Sequence, residues 1–202
     1  LMLSSLSKDL RATIKPDKDR ALLDFDMKSA ALSILAAISK DDAMTEWLKG
    51  DAHQSTGDLL LSDQNMTAKQ RRKIGKVVNN SMIAGAGVYW LKGKLEDFGV
   101  ELTYKKAEEL HDAWWNRFPE AQTFRMKHKT MIAEKVENGE SHALNWYGRQ
   151  MFYFDADLLS GQRGEKGWPE SIEKRQEKAE RSAFTALLRA YESMIMDHVL
   201  IE

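Results

Sequence analysis

Only three prolines, at positions 16, 119 and 169, interrupt this 202-residue chain. Between them, apolar residues recur at the three-and-four spacing of an α-helix. Proline is the residue that most reliably stops a helix, so its scarcity together with this period points to a mostly helical fold. The spacing predicts a helix over 29–39, with Ala31, Leu32, Leu35 and Ile38 on one face. Thr67 is placed to cap a second, running to about Ala84 and stopped by Gly85 and Gly87. Thr103 caps a third, Tyr104 to Phe118, whose buried stripe is Ala107, Leu110, Trp114 and Phe118. Pro119 opens a fourth that ends near Asn138-Gly139, and a long helix follows from Ser171 onward.

Strand signals are few. Arg20 to Asp26 is short, apolar and entered from Lys15-Pro16-Asp17, and Leu144 to Phe154, broken by Gly148, reads as a hairpin. The glycine-rich stretch from Leu158 to Pro169 is the one linker-like segment. There is no internal repeat and no low-complexity tract. The expected class is therefore α+β and mostly helical, with a small sheet.

Composition narrows the function. Thirty Lys+Arg against 31 Asp+Glu give a net charge of −1, which excludes a wholly basic nucleic-acid coat and confines any basic surface to local patches. The absence of cysteine removes disulfides, thiolate metal sites and a cysteine nucleophile. No apolar run is long enough to span a membrane and no targeting peptide opens the sequence, so an intracellular setting (cytoplasm or nucleoid, an organelle or a phage-infected host) is expected. A chain beginning Leu-Met-Leu is expected to be a piece of something longer.

Five places carry chemistry. Arg72 and Lys76 are four apart, so their charges project from one helix face, with Asn80 one turn further on. Two cations near a helix N-terminus can clamp a polyphosphate; taken alone, the same pattern describes a solvated basic face. Asp26 ends an apolar strand, where a carboxylate must be paired or hold a cation such as Mg²⁺, or else belongs to a turn. His53, within Asp51-Ala-His-Gln-Ser-Thr56, and Arg149, within Trp146-Tyr-Gly-Arg149, are weaker when considered singly. The run Arg125-Met-Lys-His-Lys129 adds local positive charge suited to phosphate contact, or simply a solvated helix face.

In order and spacing these pieces resemble the family A (Pol I-like) DNA polymerases, over roughly residues 8 to 202. Leu22-Leu-Asp-Phe-Asp26 followed by Ile34-Leu-Ala-Ala-Ile-Ser39 resembles motif A, and Asp51-Ala-His53-Gln-Ser-Thr56 is similar to the Asp-x-His-x-x-Thr stretch after it. Arg72-x3-Lys76-x8-Gly85 resembles motif B, and Trp115-Asn-Arg-Phe-Pro119 the helix ending in Tyr/Phe-Pro. Gly148-Arg149 looks like the hairpin beside the primer–template, and Arg181-Ser-Ala-Phe-Thr-Ala-Leu-Leu188 like the helix along template and primer.

The resemblance implies palm segments over 1–45 and 140–202 around fingers over 46–139. It implies two-metal nucleotidyl transfer from a dNTP to a primer 3′-hydroxyl, with two Mg²⁺ ions. Asp26 is then the first metal ligand and the catalytic carboxylate. Arg72, Lys76 and Asn80 are the dNTP-facing residues, and Arg149, Thr185 and Arg189 face the DNA. The implied partners are primer–template DNA, dNTPs and either other replication proteins or a further polymerase segment, with no membrane.

Several positions depart from the pattern. Met196-Asp197-His198 superficially fits motif C and would make Asp197 a second metal ligand, but the ungapped register of the preceding helix runs on through Asp197 and favours an ordinary helical residue there. The motif A glutamate and arginine fall on Ala31 and Ser33. The base-stacking aromatic and the following tyrosine of motif B fall on Asn80 and Ala84. Thr185 and Arg189 replace the usual Asn and Gln. The family uses that glutamate and tyrosine together to reject a ribose 2′-hydroxyl, so relaxed sugar selection is expected. The alternative is a catalytically impaired, polymerase-like binding or scaffold protein, or one part of a split polymerase.

Overall fold

Polar caps set the helix boundaries along much of the chain. Thr67 and Gln70 form a reciprocal capping box at the start of the helix Ala68–Ile83, and Thr103 accepts the Lys106 amide at the start of Tyr104–Asn116. The structure, a computed structural model, describes residues 8–20, 27–62, 65–137, 142–144, 150–152 and 172–201. In chain order the elements are α1 (Lys8–Thr13), α2 (Ala30–Ser39), α3 (Asp42–Leu48), α4 (Ala52–Leu61), α5 (Ala68–Ile83), α6 (Val88–Glu96), α7 (Tyr104–Asn116), α8 (Pro119–Glu137), β1 (His142–Leu144), β2 (Gln150–Phe152) and α9 (Ile172–Ile201).

The long helices lie where periodicity and caps predict them. α7 stops at Asn116 rather than Phe118, because the chain folds back through a Phe118 N–H to Trp115 C=O bond. Phe118 then accepts the Gln122 amide and begins α8, with Pro119 in its first turn. Four short helices were not anticipated: α1, α3, α4 and α6. Each has ten residues or fewer, too short to establish a convincing period, and two of them start from aspartate caps at Asp41 and Asp51. Where a hairpin was expected over 144–154, an antiparallel pair lies two residues earlier, in the register His142↔Phe152, Ala143↔Met151, Leu144↔Gln150. It is the one sheet among the described residues. Residues 21–26 of the expected strand, the turn around Gly148 and the linker over 158–169 lie outside the described residues.

One core joins the helices. Leu32 and Leu35 of α2, Met44 and Trp47 of α3, Val78 and Met82 of α5, and Leu91 and Leu95 of α6 pack with Trp114, Trp115 and Phe118. Trp114 and Phe118 of the expected stripe are buried, as is the neighbouring Trp115, and the rings meet edge-on, Trp114–Trp115 at 4.8 Å and Trp114–Phe118 at 5.2 Å. Asp41, fully buried, caps two helices at once: Oδ1 accepts the Met44 amide (2.8 Å) and Oδ2 the Ala121 amide (3.0 Å), fastening α3 to the start of α8.

The crossing of α4 and α5 positions the site. Their backbones touch, and only glycine permits it. A Cβ on Gly57 would lie 2.1 Å from the Arg71 carbonyl oxygen, and one on Gly75 would lie 2.0 Å from that of His53. Arg71 reinforces the crossing by donating from Nε to Asp58 (2.6 Å) and from Nη1 to the Met66 carbonyl (2.6 Å).

Candidate functional site

Along α5 the buried face carries Ile74, Gly75, Val78, Asn79, Met82 and Ile83, while Arg72, Lys76 and Asn80 are exposed one turn apart. The structure therefore brings the three sequence-predicted residues onto one solvent-facing stripe. The neighbouring arginines do different work: Arg71 ties α4 to α5, while Arg72 is free to face a ligand with the part of its guanidinium not engaged by Asp51. That engagement is a 2.7 Å bond from Arg72 Nε to Asp51 Oδ2, with both side chains nearly half exposed. Asp51 also caps α4 by accepting the Gln54 amide (3.0 Å). The hydrogen bond from Arg72 holds the Asp51 carboxyl below the usual carboxylate range.

His53 sits beneath this stripe at the start of α4, 7% exposed. Its protonation follows from its neighbours. Trp114 Nε1 can only donate, and it lies 2.9 Å from the Asn79 side-chain oxygen, which also accepts from Thr56 Oγ1 at 2.8 Å. The Asn79 amide nitrogen must then face the Ala52 carbonyl (3.2 Å) and His53 Nδ1 (3.1 Å). Nδ1 is therefore an acceptor, and the proton is on Nε2, which lies 3.4 Å from Ser29 Oγ. Burial, and secondarily the charges of Arg72, Lys76 and Lys28 against the opposing pull of Asp51, lower the His53 pKa and keep the ring neutral. The exposed stripe offers an anion two cationic side chains, while the buried Nε2–H of His53 faces Ser29 Oγ.

Sequence reasoning missed Asn79, which is completely buried and makes four hydrogen bonds. The available signal was an asparagine on the apolar face of α5, one turn after Gly75 and beside Val78.

A second feature lies where the C-terminal end of α5 meets α9. Ser81, Ala84, Ala86 and Trp90 form one wall of a groove of about 780 Å³, and Arg181, Thr185 and Arg189 lie on the other. Thr185 and Arg189, both singled out from the sequence, thus share one groove with Ala84. The run 125–129 is not a uniformly solvated face: His128 is buried, its ring edge-on to Phe184 at 5.5 Å. Asp26 and Arg149 lie outside the described residues. Position 197 falls within the continuous helix α9. Among the described residues no three His, Asp or Glu side chains gather as a metal site, and no helix is long and apolar enough to cross a membrane.

Known proteins resemble this chain in sequence over part of its length and in fold. The chain is 30% identical over 127 residues to DNA polymerase I of Helicobacter pylori, a match covering 61% of this chain and 14% of that protein. It is 28% identical over 126 residues to DNA polymerase I of Lactococcus lactis, covering 58% of this chain and 13% of that one. This chain thus corresponds to a small part of the length of either relative. In fold it is similar to the POL domain of Pol1 from M. smegmatis, solved in complex with DNA primer-template and dNTP. That likeness has a TM-score of 0.57 at 18% identity, over 81% of this chain and 25% of that one. The family model for DNA polymerase family A matches residues 3–187. With most of its length inside that match, the chain belongs to DNA polymerase family A.

Proposed function

We propose that this chain is the part of a template-directed DNA polymerase that holds the incoming nucleotide and steers the template. The carrying observation is the exposed stripe Arg72, Lys76 and Asn80, on a helix held in place by the α4–α5 glycine contact. Arg72 and Lys76 neutralise the triphosphate of a dNTP. Asp51 holds the Arg72 fork beside that face. Thr185 and Arg189 line the path of the nucleic acid, with Arg149 beside it, and primer–template DNA is the partner. In domain terms, 46–139 act as fingers and 1–45 with 140–202 as palm.

The Asp26 carboxylate and triphosphate oxygens are hard oxygen donors of the kind Mg²⁺ takes. When bound, the two ions neutralise phosphate charge and activate the primer 3′-hydroxyl. Asp26 is the residue of this chain proposed to hold them. Ala31 and Ala84 stand where the family places its sugar-gating pair, and the proposal includes relaxed discrimination against ribonucleotides. Ala84 fits this reading because it lines the open groove rather than filling it.

The test is primer extension by the full-length gene product with Mg²⁺ and either dNTPs or rNTPs, with Asp26→Asn as control. Extension abolished by that substitution is the expected result. Strong rejection of rNTPs would remove the sugar-gate part alone. Tight primer–template binding without extension would favour the binding-protein reading, for which the loss of the aromatic at Asn80 is the specific argument.

A further inference from the structure

A third cation stands beside the α5 stripe. Lys28 lies exposed in the turn that leads into α2, and its Nζ donates to the Gly50 carbonyl at 3.3 Å. Gly50 directly precedes Asp51, whose Oδ2 takes the 2.7 Å bond from Arg72 Nε. The Lys28 ammonium and the Arg72 guanidinium therefore flank one short stretch of backbone, on the order of 10 Å apart. Charges still add over that distance at physiological salt. Ser29 ties the turn to α4: its backbone is left-handed, φ 51° and ψ 38°, and its Oγ lies 3.4 Å from His53 Nε2. A serine holds that conformation where its surroundings fix it. The three cations are also felt together at one buried ring. After burial, Arg72, Lys76 and Lys28 each lower the His53 pKa, with Asp51 pulling the other way.

We infer that Lys28 is a further phosphate contact of the nucleotide site, the one that seats the terminal phosphate of a dNTP and so selects triphosphates over diphosphates. This rests on the dNTP reading proposed above and adds to it a residue outside α5. Charge balance calls for the extra cation. Arg72 and Lys76 bring two positive charges, and Asp51 offsets one of them where it pairs with Arg72. Lys28 and Lys76 form no ion pair among the described residues. The Gly50 bond uses one of the three ammonium hydrogens of Lys28 and leaves two for an anion. Position decides which phosphate it meets. In the dNTP reading the sugar lies toward Ala84, and Asn80, Lys76 and Arg72 follow one turn apart toward the start of α5. The contacts then run from Arg72 through Asp51 and Gly50 to Lys28, which puts Lys28 at the end of the stripe away from the sugar. A terminal phosphate carries about −1.5 to −2 charge near pH 7, so it gains most from one more cation.

The experiment measures the dissociation constants of a dNTP and of the matching dNDP, with Mg²⁺, for the full-length gene product on a dideoxy-terminated primer–template. Lys28→Met is expected to weaken dNTP binding about tenfold and dNDP binding less than about twofold, with primer–template affinity unchanged. Lys28→Gln separates charge from architecture, because its amide can still donate to the Gly50 carbonyl. It should lose dNTP affinity as Lys28→Met does, whereas Lys28→Arg should keep most of it. Full dNTP affinity in Lys28→Gln would make Lys28 a strut for the turn and overturn the assignment. Equal losses for dNTP and dNDP in Lys28→Met, or no loss for either, would overturn it too. Arg72→Ala tells these failures from that of the dNTP reading, which stands as long as this substitution still removes dNTP binding. A wild-type protein that binds no dNTP, or an Arg72→Ala variant that binds it undiminished, would overturn both.

Discussion

Replacing Asn79 with alanine should destabilise the fold by about 3 kcal/mol and release the His53 tautomer. The magnitude follows from what the amide leaves behind. Thr56 can turn its hydroxyl to another acceptor, and the Ala52 carbonyl remains in the α4 ladder. Trp114 Nε1 and His53 Nδ1 have no such recourse, since both are buried against the amide that is removed. Each orphaned buried group costs roughly 1–3 kcal/mol, and the lost side-chain volume adds to this. For a chain of this size ~3 kcal/mol lowers Tm by about 6–12 °C. Calorimetry or urea unfolding measures the stability, and imidazole ¹⁵N shifts report which His53 nitrogen carries the proton. A loss below about 1 kcal/mol with the Nε2–H form intact would refute the reasoning, because something other than Asn79 would then be holding the ring. Asn79→Asp is the complementary variant: it replaces the donor facing Nδ1 with an acceptor, so the His53 pKa should rise.

Three further outcomes are expected. Gly75→Ala should cost several kcal/mol or abolish folding, since its methyl lies 2.0 Å from a backbone oxygen of the neighbouring helix; an unchanged Tm would show that α4 and α5 can separate at no penalty. Asp41→Ala should lower stability by about 2–4 kcal/mol by orphaning the Met44 and Ala121 amides together, and Asp41→Asn should recover only part of it, as read from denaturant midpoints. Burial pushes the His128 pKa from 6.5 down to about 4. The unfolded chain takes up this proton near 6.5 and the folded protein does not until about 4, so stability is full above 6.5, declines as pH falls between those values, and levels off below. At about 1.4 kcal/mol per unit, the total is about 3 kcal/mol. His128→Gln should flatten that part of the pH–stability curve, and an unaltered slope would contradict it.

Local chemistry accounts for how much could be read before folding. The capping box at Thr67 and Gln70, the Thr103 cap and Pro119 each act within one helical turn, so the starts of α5, α7 and α8 were visible in the sequence. The spacing of Arg72 and Lys76 is likewise a property of a single helix, and the exposed stripe needed nothing beyond the 3.6-residue period. α1, α3, α4 and α6 escaped because six to ten residues hold too few turns for a period to stand out. His128 was read within a basic run, whereas its burial depends on Phe184 arriving from α9, dozens of residues away.

Sequence alone therefore determined the helical class, the boundaries of its longest helices, the polymerase-like order of motifs and the cationic stripe on α5. Tertiary structure alone decided which of two adjacent arginines is structural, that Asn79 fixes the proton on His53, and that Lys28 meets Gly50 beside Asp51. The physical reason is range. Caps and periodicity are set by residues three or four apart in the chain, whereas Asn79 meets Trp114 across 35 residues and Ala121 meets Asp41 across 80. Contacts of that kind exist only once the core has brought the helices together.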